Sequence, residues 1–319
     1  PFTCLGSGCL GQVSQVYLSN NELTGAIPPV NDVAYLYLND NQLSGLLPEF
    51  IGEGHPIEMD LSGNQLSGSL DPEYFQNNPS IIFLNLGHNA FTGILPEFYY
   101  DFGSCPVKVV ILNNNQLDGG IPSSWGDMGE LVQLDLSHNQ LSGTIPAELT
   151  FLTGIVSINL GENQLTGSMP AFASWIHPML RDLRLNANEL SGEIPSEIGT
   201  LDLRHLALGS NQLSGSIPES FTNLPLDLEY MNLSGNLLSG TIPPFDSEAK
   251  QPALRELYLN DNQFNGSIPT NLFTEFPGLQ RLDLSMNRLS GDIPSVVGNA
   301  VNLRQLHLNG NTLAGGVPA

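Results

Sequence analysis

Residues 134–149 read LDLSHNQLSGTIPAEL, and close copies of this stretch recur along the chain. Leu134 and Leu136 alternate with Gln133, Asp135 and Ser137. That period of two sends leucines inward and polar groups outward from a short strand. Asn139 follows where the chain turns inward, and a buried amide there offers both donor and acceptor to backbone groups of adjacent coils. Leu141 points back into the core. Gly143 permits a backbone conformation or an approach closed to residues with a side chain. Ile145 buries next, and Pro146 fixes φ at the start of a short helical or irregular return, where its missing N–H matters least.

Aligned on L-x-L-x-x-N-x-L, the copies place asparagine at Asn21, Asn41, Asn64, Asn89, Asn115, Asn139, Asn163, Asn188, Asn211, Asn236, Asn262, Asn287 and Asn311. The spacings run from 20 to 26 residues. Twelve repeats carry the proline seven residues later, and the third has Asp71 there with Pro72 following. Such a period overrides the two-domain expectation for 319 residues, because each repeat buries its apolar face on its neighbours. Hydrophobic residues make up 40% of the chain, enough for a core, and 33 Gly with 23 Pro mark many turns.

A formal charge of −23 repels nucleic acid and anionic membranes. Residues 1–180 hold 17 acids and one base, whereas 181–319 hold 15 acids and eight bases. No apolar run reaches the roughly 18 residues that span a bilayer, and no basic-plus-apolar leader opens the chain.

The period and signature are those of a leucine-rich repeat. The L-x-G-x-I-P pattern after the asparagine resembles the plant-specific class of such repeats, seen in receptor-like kinase and receptor-like protein ectodomains and in polygalacturonase-inhibiting proteins. The resemblance runs from VYLSNNELTGAIPP to LHLNGNTLAGGVP. It implies a right-handed superhelical solenoid of about 13 repeats with a concave parallel β-sheet, a short second sheet on the flank, and 3-10 or short helical returns. Residues 14–319 are then the solenoid and 1–13 the remnant of an N-terminal cap. TCLGSGCLGQVSQVYL resembles the end of the family's cysteine-bearing cap, which implies a Cys4–Cys9 disulfide, although the tryptophan usual in that cap is absent. The last repeat lacks a second cysteine pair or a polar cap, so the natural polypeptide is expected to continue. The short first spacing predicts that VNDVAY crosses as a tight loop. FYYDFGSCPV, 98–107, interrupts the usual return and places Cys105 either as a half-buried thiol in an irregular coil or as half of a bond to a missing partner.

No catalytic constellation is legible, so no enzymatic activity and no cofactor are expected. His88 and His138 precede their asparagines two repeats apart, roughly 10 Å, too far to share a metal. Glu58 and Asp60 fall short of the six to eight oxygens calcium usually takes.

Outward positions of the strands vary while the framework repeats, which suits recognition. Tyr17, Tyr35, Tyr37, Glu58, Asp60 and Phe83 form an aromatic and acidic patch, suited to stacking a sugar or anchoring a peptide, or else a tyrosine row that supports the sheet. Arg184, His205, Tyr230, Tyr258, Arg281 and His307 form a more basic patch, or scattered charge balance. Asn232 and Asn265 head N-x-S sequons, the first on the concave strand and the second on a flanking turn. The expected function is a non-enzymatic extracellular or cell-surface recognition module that binds a peptide, protein or glycan by its concave face or flank. The alternatives are a structural module of matrix, wall or filament, with identical or related subunits as partners, and ice binding by the small Ser, Asn and Gly row two residues before each asparagine.

Overall fold

A computed structural model describes residues 5–6, 13–51, 56–72, 79–97, 105–223, 225–245 and 253–318. Cys4 and Cys9 lie outside them. The chain divides into two units, Pro1–Asn163 and Gln164–Ala319.

In the first unit the predicted strands form a parallel ladder: Gln15–Tyr17, Tyr35–Tyr37, Glu58–Asp60, Phe83–Asn85, Val109–Ile111, Gln133–Asp135 and Ser157–Asn159. Each begins six residues before its asparagine and ends four before it. The second unit repeats the arrangement with Asp182–Arg184, His205–Ala207, Tyr230–Asn232, Glu256–Tyr258, Arg281–Asp283 and Gln305–His307. Leu134, Leu136, Leu141 and Leu149 are each 0% exposed, so both the strand leucines and the return leucine face the core as the pattern requires.

Short flanking strands follow each asparagine. In the first unit Thr24–Gly25, Gln42–Gly45, Gln65–Ser69, Ala90–Ile94 and Gln116–Asp118 form one sheet, and Ser239–Thr241, Gln263–Gly266, Arg288–Asp292 and Thr312–Ala314 form another in the second unit. Several returns close with a 3-10 turn entered through the repeat proline, as at Ala147–Phe151 after Pro146 with φ −60° and Ser196–Thr200 after Pro195 with φ −59°. Trp125, in the turn Ser123–Asp127, is wholly buried, and its indole N–H donates to the Pro96 carbonyl at 2.8 Å. A ring of that size buries without penalty only when its N–H finds such a partner.

VNDVAY departs from the sequence expectation. Val30–Asn31 is extended and pairs in parallel with Leu5–Gly6 and Phe50–Ile51, giving the early returns a small sheet of their own. A 20-residue spacing leaves too little chain for a helical turn, and an extended segment covers the same height with fewer residues. Cys105 is buried, at 3% exposure.

The asparagines form the expected ladder. Asn139 Oδ1 accepts the Leu117 N–H of the preceding coil at 3.0 Å, while Nδ2 donates to Leu112 O at 3.0 Å, Leu136 O at 3.1 Å and Ser137 O at 3.2 Å. Asn211 repeats this geometry between Leu190 and Leu185, and is buried. Asn21 is exposed and bonds within its own turn, to Leu18 O and Ser19 O.

Two backbone requirements accompany the ladder. The repeat glycine sits at positive φ, +75° at Gly143, the region closed to side chains that the sequence position foretold. The residue just before each asparagine is also left-handed. Asn20, Asp40, Asn114, His88 and His138 tolerate that conformation, but Glu162, Ala187 and Met286 occupy it too, at φ 56°, 53° and 54°.

Candidate functional site

The first unit brings the predicted aromatic and acidic residues onto one face. In-register pairing sets Gln15, Tyr35, Glu58 and Phe83 in one row and Tyr17, Tyr37, Asp60 and Asn85 in the next. The rows run across strands because parallel pairing without slippage puts equivalent positions of successive repeats side by side. Adjacent strands lie about 4.8 Å apart, which brings Tyr17 and Tyr37, in-register neighbours, within stacking distance.

Tyr17 and Tyr37 stack with centroids 5.2 Å apart and planes 18° from parallel. Tyr17 remains 59% exposed, whereas Tyr35, Tyr37 and Phe83 are half-buried. The Tyr37 hydroxyl donates to the Glu58 carboxylate. Burial first, then that hydrogen bond and the Glu58 charge, hold the Tyr37 phenol above the ordinary tyrosine range. Asp60 accepts from the Ser62 N–H at 3.0 Å, the Ser62 hydroxyl at 2.6 Å and Asn85 Nδ2 at 3.1 Å. Both acids are therefore held in place by neighbours, and the stacked tyrosines stand on a fixed polar base.

The second predicted patch assembles differently. Its basic side chains are not a positive field, because each has an acid beside it, on the same strand for Arg184 and on the neighbouring strand for the others. Arg184 lies 3.2 Å from Asp182, Arg281 3.6 Å from Glu256 and His307 Nδ1 3.1 Å from Asp283. His205 Nδ1 lies 2.6 Å from Asp182 Oδ1, close for an ion pair yet off the axis of a well-aligned N–H bond. Tyr258 donates to Glu256 at 2.7 Å, and contact with the Tyr258 hydroxyl, then Glu256, keeps the Arg281 guanidinium above its ordinary range. A parallel sheet makes such pairs where acid and base fall at equivalent positions of successive repeats, as Glu256 and Arg281 or Asp283 and His307 do.

Among the described residues, no group of three His, Cys, Asp or Glu side chains converges as a metal site would require. His138 pairs with Glu162 at 2.8 Å and His88 Nε2 stands 3.5 Å from the amides of Asn113 and Asn114. In the row two before the asparagine, Ser62, Ser137, Ser234 and Ser285 donate to the residue two positions earlier, at 2.6–2.7 Å. Those hydroxyls are committed within their own turns. Asn232 takes part as the acceptor for Ser234, so the Asn232-Leu-Ser sequon coincides with a structural pairing that other repeats make with aspartate, as Asp135 does with Ser137. Asn265 lies on the flanking strand Gln263–Gly266 rather than in a turn, and it is exposed.

A parallel ladder of short strands with an asparagine rung in each turn defines a leucine-rich repeat solenoid. Sequence profiles described as leucine rich repeat match residues 252–313, 33–53, 130–152, 179–201, 202–224 and 227–247, together more than half of the chain. The chain belongs to the leucine-rich repeat family. Among curated proteins it is similar to Cuscuta receptor 1 of Solanum lycopersicum, 28% identical over 237 residues, which cover 73% of this chain and 16% of that protein. Among solved structures it resembles the Arabidopsis receptor kinase HAESA, in complex with the peptide hormone IDA and the co-receptor SERK1, with TM-score 0.82 and 32% identity over 98% of this chain and 51% of that one. The plant peptide hormone receptor RGFR1, in complex with RGF2, matches with TM-score 0.79 and 27% identity over 98% of this chain and 62% of that one. The chain thus spans less than two thirds of the length of these relatives. No helix among the described residues is long and apolar enough to cross a membrane.

Proposed function

We propose that this chain is a non-enzymatic recognition module of an extracellular or cell-surface protein, and that it binds a peptide or protein partner through the strand face around Tyr17, Tyr35, Tyr37, Glu58, Asp60 and Phe83. The observation that carries the reading is the Tyr17–Tyr37 stack, an aromatic surface left 59% exposed at Tyr17 yet ordered before any partner arrives. Rigid aromatics give contact area at low entropic cost, and desolvated anchors of this type dominate binding energies. Similarity to receptor ectodomains solved with peptide hormones supports a ligand of that class and an extracellular setting. Glu58 and Asp60 favour a neutral or cationic partner and make association sensitive to salt.

The test is capture of partners from native extracellular material, followed by titration of the purified partner against a Tyr17→Ala/Tyr37→Ala variant. Loss of about 2 kcal/mol or more is expected for true anchors. Unchanged affinity would reject this face, and recovery of identical subunits alone would favour an assembly role.

A further inference from the structure

The Arg184, His205 and Tyr230 end of the second predicted patch borders a hollow that its acid–base pairs do not fill. Arg184, Ala207 and Asn232 are in-register neighbours, as are Asp182, His205 and Tyr230. Ala207 is a methyl between the polar side chains of Arg184 and Asn232, so the row drops there. The result is a pocket of about 250 Å³ lined by Arg184, Asn186, His205, Ala207, Tyr230 and Asn232. That volume holds one ring or one side chain rather than a whole drug-sized ligand.

Its chemistry selects the occupant. Asp182 lies 3.2 Å from the Arg184 guanidinium and 2.6 Å from His205 Nδ1, so its carboxylate balances the Arg184 charge inside a chain of net charge −23. An anion gains little there. An apolar group would strand the Asn186 amide, which makes no side-chain hydrogen bond among the described residues, and the remaining guanidinium donors of Arg184. The lining instead mixes donors and acceptors around one aromatic wall. Tyr230 is that wall, fixed by the Asn232 amide, which donates to its hydroxyl at 3.1 Å, and braced by Tyr258 with centroids 5.8 Å apart. Sugar hydroxyls both donate and accept, and the C–H face of a pyranose packs on an aromatic ring.

We infer that the hollow over Ala207 is a subsite for a single neutral pyranose residue, packed on Tyr230, with its hydroxyls bound by Asn186, Asn232 and Arg184. The site is separate from the tyrosine face of the first unit, and does not depend on what that face binds.

Saturation-transfer NMR tests it, with glucose, galactose, mannose and their short neutral oligosaccharides as probes, and the matching uronic acids in parallel. A single ring in a pocket of this size is expected to bind at about millimolar dissociation constant. Ala207→Leu, which fills the hollow without removing a polar group, should weaken binding about tenfold or more. Tyr230→Ala should do the same, and Tyr17→Ala/Tyr37→Ala should leave it unchanged. Asn186→Ala is the companion should Ala207→Leu fail to fold, and a several-fold loss is expected there too. Absence of any neutral saccharide signal, equal or tighter binding of the uronic acids, or binding that survives Ala207→Leu in the folded variant would each overturn the assignment.

Discussion

Removing a single rung from the asparagine ladder should reveal how the fold is held together, and the cost should follow the depth of the rung. Asn211→Ala deletes one acceptor oxygen and the two N–H donors of the amide. It leaves the Leu190 N–H and the carbonyls of Leu185 and Leu208 without the partners they now have at 3.0, 3.0 and 3.1 Å. Each stranded buried group costs about 1–3 kcal/mol before relaxation. Backbone oxygens can keep a second partner, so a net loss of about 3 kcal/mol is expected at Asn211, which is only 8% exposed. Asn139 makes the same set of bonds but is half-buried, and water can replace part of what is lost, which gives about 2 kcal/mol. Asn21→Ala removes only bonds within an exposed turn and should cost less than about 1 kcal/mol. Asp135→Ala, which loses the Ser137 bonds on the strand face, belongs with Asn21. Urea denaturation followed by far-ultraviolet dichroism, with slopes compared to confirm that each variant unfolds over the same transition, ranks the four. Equal midpoints for Asn211→Ala and Asn21→Ala would refute the claim that amide satisfaction at depth, rather than leucine packing alone, sets the stability of a coil.

Three further outcomes are expected. Ala187→Gly should stabilise by about 0.5–1 kcal/mol, because relief of a left-handed alanine outweighs the entropy glycine brings, and a lower melting temperature would contradict this. Tyr37 holds its proton more tightly folded than unfolded, so its contribution is complete below about pH 10 and lost as pH rises beyond it. Thermal melts of Tyr37→Phe should therefore fall less steeply on the alkaline side than those of the parent chain, and parallel curves would show that Tyr37 does not titrate with unfolding. Glycan occupancy is expected at Asn265, exposed on its flanking strand, before Asn232, whose amide is bonded to Tyr230 and whose oxygen holds Ser234. Intact glycopeptides with Asn232 filled and Asn265 bare would reverse that order and would also place a glycan over the hollow at Ala207.

The sequence by itself determined the repeat unit, the strand positions, the buried leucines, the asparagine rungs and the glycine that must turn left-handed. All of these depend on offsets within one coil, and an offset is visible in a line of letters. It also placed Tyr17, Tyr37 and Glu58 on a common face, because the register of a parallel ladder follows once the repeats are aligned. Only the tertiary structure decided what neighbouring coils do to one another. It turned the supposed basic patch into acid–base pairs such as Asp182 with His205, and it showed that Val30–Asn31, at the start of VNDVAY, pairs as a strand. It also revealed that Glu162, Ala187 and Met286 carry a conformation their side chains resist. The hollow over Ala207 was hidden for the same reason. A small residue in a variable row reads as ordinary variation until the side chains of Arg184 and Asn232 stand on either side of it, and a cavity exists only between side chains that the sequence keeps more than 20 residues apart.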